Sequence, residues 1–154
     1  TPDGSESSGS ARSAWIEELP SSSMRLAQWA LPGPEQPVTC AFFAMGGGTA
    51  YENVSRWLGQ FEGADGAPAA HSAELASQVI GGMNTSLVRV NGTFLDPGIR
   101  MDGDITRREG WALFGAIVEG PERLHFFKCT GPEDTMVLHE EELEAFVRTF
   151  GPAS

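Results

Sequence analysis

The sequence predicts an α+β fold, a mostly antiparallel sheet of about six strands with two amphipathic helices packed on it. Three observations carry that expectation. The stretch Val38 to Phe61 runs from an apolar strand through Gly46, Gly47 and Gly48 into a helix with one apolar stripe. Two further apolar segments, Trp111 to Val118 and Leu124 to Thr130, are joined by the turn residues Glu119, Gly120, Pro121 and Glu122, which is the strongest hairpin signal in the chain. A second helical stripe, Leu143, Phe146, Val147 and Phe150, closes the sequence.

Taken in order, residues 1–13 are rich in Ser and Gly without apolar periodicity and are expected to form a flexible tether. A single domain is expected over 14–151. Trp15 to Leu19 is a short extended segment ended by Pro20 and three serines. Met24 to Leu31 reads as a strand, and the prolines after it return the chain antiparallel into Val38 to Met45. That strand has only Thr39 as a hydroxyl-bearing residue, so both of its faces must be covered. Gly46 to Gly48 supply a sharp turn, because glycine has no Cβ penalty at positive φ. Thr49 and Glu52 form a capping box, which starts the helix at about Ala50; Val54, Trp57, Leu58 and Phe61 are its apolar face.

Beyond the loop 63–70, Ser72 to Ile80 is expected as a short helix stopped by Gly81 and Gly82. Thr85 to Leu95 alternates, with Val88 and Val90 on one side and Thr85, Leu87 and Arg89 on the other, and bends near Asn91 and Gly92. Asp96 to Asp104 is an irregular loop. After the main hairpin, Met136 to Leu138 reads as a short edge strand. Glu140 to Phe150 reads as the last helix, with Glu140, Glu141 and Glu142 complementing the dipole at its start.

Composition narrows the function. The net charge is −11, so phosphate backbones and anionic lipid headgroups repel the chain, which argues against nucleic acid as a partner. No apolar run approaches the roughly 20 residues that span a bilayer.

The order PSSSMR (Pro20 to Arg25), GGG, NVSRWLGQF (Asn53 to Phe61), NGTF (Asn91 to Phe94), GAIV (Gly115 to Val118) and FFKCTGP (Phe126 to Pro132) resembles a family of uncharacterised bacterial exported proteins, many of them lipoproteins. The resemblance covers nearly all of Trp15 to Phe150. At the level of fold, the order of sheet and helices also looks like PsbP, an extrinsic photosystem subunit. The resemblance implies a periplasmic or cell-envelope location with an anchor through a removed N-terminal segment. It supplies no catalytic residues, and the family pattern has a leucine where this chain has Cys129.

Candidate chemistry is sparse. The glycine turn before a helix is similar to an anion cradle but lacks the GxxxxGK[ST] pattern, and a tight structural turn is the expected reading. His71, His125 and His139 lack the i, i+4 spacing of helical metal ligands, and the five methionines form no short cluster. Cys40 and Cys129 are left open between a disulfide, which export would allow, and two buried thiols, the expected state. Asp102 with Asp104 and Glu140 to Glu142 read as a solvated loop and a helix start. No catalytic, cofactor or metal residue is assigned. The leading expectation is a non-enzymatic, extracytoplasmic accessory or binding domain docking onto a membrane-associated protein or complex; the alternative is a carrier of a small ligand or metal in the cell envelope. The expected contact surface is Gly46, Gly47, Gly48, Asn53, Arg56 and Gln60, where Arg56 can engage a carboxylate in a fork geometry.

Overall fold

The computed structural model of the chain describes residues 15–20, 25–34, 36–45, 48–63, 66–69, 73–96, 105–120 and 123–150. The expected tether over 1–13, most of the loop Asp96 to Asp104, and Gly46 and Gly47 lie outside these residues. The described elements are β1 (Ile16–Glu18), β2 (Arg25–Leu31), β3 (Val38–Met45), α1 (Ala50–Leu58), β4 (Phe61–Glu62), β5 (Glu74–Ile80), β6 (Met83–Asp96), β7 (Thr106–Glu119), β8 (Leu124–Pro132) and α2 (Glu133–Arg148). They form one eight-stranded sheet in the order β1-β2-β3-β8-β7-β6-β4, with β5 also paired to β6, and every pairing is antiparallel.

Alternation along the strands sorts the core into two layers. Cys40, Phe114, Ala116, Phe127 and Cys129 pack with Met136, Leu143 and Val147 of α2. Leu113, Ile117, Phe126, Val88 and Val90 pack with Val54, Trp57 and Leu58 of α1. The helices therefore cover opposite faces of the sheet. The expected hairpin is present as β7 and β8, whose strands pair from Trp111–Pro132 to Glu119–Leu124.

Several expectations are corrected. Among the described residues the sheet has eight strands where about six were expected, because β5 was expected as a helix and β4 is only two residues long. The helix expected over Ser72 to Ile80 is a strand where it is described; β5 occupies Glu74–Ile80 and pairs with β6 across a two-residue turn. Gly81 and Gly82 have φ of 60° and 81°, the pair of positive values that a type I′ hairpin needs, so the glycines turn a strand instead of stopping a helix. Phe61 is buried but lies outside α1, which ends at Leu58 with Gly59 as its C-cap; Phe61 belongs to β4 and pairs with Phe94.

At the other end, Met136 to Leu138 is not an edge strand, and the last helix starts at Glu133, not at Glu140. Its first-turn acids are Glu133 and Asp134, and Met136, His139, Leu143 and Val147 make its buried face. Thr135 fixes that start by donating to the Gln36 carbonyl at 2.9 Å. Finally, Cys40 and Cys129 are joined as a disulfide, against the expected thiols. The β3–β8 register sets the two residues directly opposite each other, a relation that depends on tertiary pairing between positions 89 residues apart.

Candidate functional site

The capping box is formed as the sequence implies: Glu52 N–H donates to Thr49 Oγ1 and Thr49 N–H donates to Glu52 Oε1, both at 3.0 Å. Gly48, with φ of 75°, precedes it in the left-handed region where glycine is favoured. The polar flank beyond it divides. Asn53 is buried; its Nδ2 donates to the Thr49 carbonyl at 2.8 Å and its Oδ1 accepts from Arg56 Nη2. Arg56 is exposed, so Asn53 positions this guanidinium instead of meeting a partner itself. Gln60, just past the helix, accepts from Lys128 Nζ at 2.7 Å.

Lys128 is the residue that the sequence-based site lacks. Strand register places Glu18, Gln28, Ala41, Lys128, Gly115 and Val88 in one row across the sheet, on the face that α1 covers. Gly115 is required there: a Cβ would lie 2.5 Å from Trp57 Cζ3, so the indole rests on bare backbone. Lys128 Nζ stands 5.3 Å from the centroid of the same indole, within cation–π range. Burial pushes the Lys128 ammonium down to about 8, with Arg56 and Arg25 adding like-charge repulsion. Arg25 donates to Gln28 Oε1 at 2.8 Å, and Gln28 Nε2 donates to Glu18 Oε1 at 2.8 Å.

These three cations therefore share one pattern. Arg25, Arg56 and Lys128 each donate to the oxygen of a carboxamide, Gln28, Asn53 and Gln60, and none makes an ion pair among the described residues. Elsewhere Arg89 meets Glu74, Glu140 and Glu144, Arg107 meets Glu62, Arg108 meets Asp96, and Arg148 meets Glu144. Arg123 stands exposed in the β7–β8 turn. The signal in the sequence was a lysine inside the apolar run of β8: period-2 alternation puts Lys128 on the face of Phe126, not at a strand end.

The remaining candidates, where they are described, make contacts within the fold. His139 is buried, with Nε2 2.7 Å from the Pro32 carbonyl and Nδ1 2.9 Å from Glu142 Oε1, which also accepts from Trp15 Nε1. His125 stacks on Phe42. Glu140 and Glu142 sit within α2 and face Arg89 and His139; His71, Asp102 and Asp104 lie outside the described residues. A cavity of about 160 Å³ lies between β5, β6 and α2, lined by Leu87, Arg89, Phe114 and Glu144 among others, and Arg89 with Glu144 closes its polar side.

No family model matches the chain, and no curated protein matches it. Its fold is similar to the crystal structure of PA94, a Pseudomonas aeruginosa protein of unknown function, with 14% identity and a TM-score of 0.55 over 91% of this chain and 98% of that one. At this identity the likeness concerns the fold alone.

Proposed function

We propose that this chain is a non-enzymatic extracytoplasmic accessory domain, built as a PsbP-like sandwich, that docks onto a membrane-associated protein or complex through the sheet face beside α1. The observation that carries the reading is the unneutralised positive face made by Arg25, Arg56 and Lys128 in a chain of net charge −11. Among the described residues none of the three meets a carboxylate, which suits a surface whose counter-charge arrives with a partner. The Cys40–Cys129 disulfide supports the extracytoplasmic part, since disulfides persist in oxidising compartments. Among the described residues no helix is long and apolar enough to cross a membrane, so attachment would come from another segment or from the partner.

A photo-crosslinking side chain placed at position 56 tests this reading against one at the exposed position 137, on α2. In native membranes, an adduct formed at 56 and absent at 137 is the expected result. Equal adducts at both positions, or none at 56, would remove the docking face.

A further inference from the structure

The α1 face also specifies what it takes. We infer that Arg25, Arg56 and Lys128 form a binding site for a single carboxylate, presented by an acidic side chain of the docking partner. The origin of that carboxylate rests on the docking reading; the site itself does not.

The hydrogen bonding supports a built site. A carboxamide oxygen fixes a cation in place without cancelling its charge, and Gln28, Asn53 and Gln60 each do this for one of the three. A guanidinium or ammonium carries several N–H donors, so a single bond to an amide leaves others for an incoming acceptor. Two described carboxylates on this side of the molecule are engaged by other groups. Glu18 accepts from Gln28, which stands between it and Arg25, and Glu52 caps the helix through the Thr49 N–H.

Charge selects the ligand. Among the described residues the three cations meet only amide oxygens, which leaves them open to an anionic acceptor. A phosphate or a polyanion would meet more of the long-range repulsion of a chain carrying −11 than a single carboxylate does. The floor strengthens the interaction. Trp57 is 2% exposed and lies beside the Lys128 ammonium, so a carboxylate bound there meets its partners in a medium less polar than water.

The test is a titration of the folded chain at pH 7 and constant ionic strength, reading the indole N–H signals of its tryptophans by NMR. Sodium acetate, an N-acetyl-glutamyl peptide amide, sodium phosphate and sodium chloride are the probes. The Trp57 signal is expected to shift saturably with the peptide, while Trp29, which packs on the opposite face, stays still and reports an intact fold. Lys128→Met and Arg56→Gln should each weaken peptide binding by at least about tenfold, and Glu62→Gln should leave it unchanged. Shifts no larger than those caused by chloride, binding retained in Lys128→Met, or phosphate binding tighter than the peptide would overturn the carboxylate site. Acetate binding more tightly than the peptide would overturn the side-chain origin in favour of a small free acid. Crosslinking at position 56 without peptide binding removes this site and leaves docking; peptide binding without crosslinking removes docking and leaves the site.

Discussion

The two faces of the sheet handle charge in opposite ways. Under α2, the row Trp29, Cys40, Cys129, Phe114 and Arg89 holds a disulfide, an aromatic layer and a guanidinium that meets three carboxylates while lying 5.5 Å from the Phe114 ring centroid. Under α1, the neighbouring row holds Gln28, Ala41, Lys128 and Gly115, and its cation donates to an amide and feels the like charges of Arg56 and Arg25. Trp15, Trp29, Phe127, Phe146 and Phe150 pack ring against ring on the first face. Both faces have a helix and a buried aromatic floor, so burial does not explain the difference. Among the described residues the guanidinium of one face meets carboxylates, whereas the cations of the other meet amide oxygens. Local free energy is left unoptimised where a site awaits a ligand, whereas a purely structural face has no reason to retain that cost.

The largest effect should come from the support that both readings need. Trp57→Ala empties an aromatic-sized site between α1 and Gly115 and should cost about 3–5 kcal/mol, measured by urea denaturation. A loss below about 1 kcal/mol would mean that α1 does not anchor this face. Next, replacing Cys40 and Cys129 together by Ala removes the covalent link of the α2 face and should cost about 2–4 kcal/mol. An unchanged denaturation midpoint would break the assignment of stability to that face. Arg89→Met leaves Glu74, Glu140 and Glu144 facing one another and should destabilise by about 1 kcal/mol, with the loss shrinking in high salt. The smallest change is expected for Arg56→Ala, within about 0.5 kcal/mol, because the side chain is exposed and its amide partner remains tied to Thr49. A loss comparable to that of Trp57→Ala would show that the helix face has been assigned the wrong way round.

The legible parts of the sequence were those governed by local rules. The capping box at Thr49, the stripe Val54, Trp57 and Leu58, and the β7–β8 hairpin depend on neighbours a few residues away, and each is present. Where tertiary pairing outweighs local preference, the reading failed. Glu74 to Ile80 has residues that suit either state, and pairing with β6 through the Gly81-Gly82 turn makes it a strand. The start of α2 is hidden by Met136 to Leu138, which suits an edge strand as well as a helix, although Pro132 followed by Glu133 and Asp134 is itself a helix-start pattern. At the candidate site the sequence offered Arg56 and Gln60 through their place beside the helix stripe. Arg25 and Lys128 join them only through strand register, over separations that no local pattern encodes. Asn53 was placed on the surface by spacing, but its amide is buried beneath the guanidinium it positions.

The central claim is that the α1 face holds its cations at a cost to the fold, and Lys128 tests it most directly. Its pKa falls from 10.5 to about 8, so below pH 8 the folded chain carries the full penalty of keeping this ammonium charged. Between those two values the unfolded chain binds more protons than the folded one, and stability relative to a variant lacking the group must rise with pH. The measurement is the difference in unfolding free energy between Lys128→Met and the unmodified chain, taken at pH 7 and pH 10 without carboxylate ligands. Lys128→Met is expected to be the more stable at pH 7, and the difference should move in favour of the unmodified chain by about 2–3 kcal/mol between pH 7 and pH 10. A variant less stable at pH 7, or a difference that does not change with pH, would contradict it.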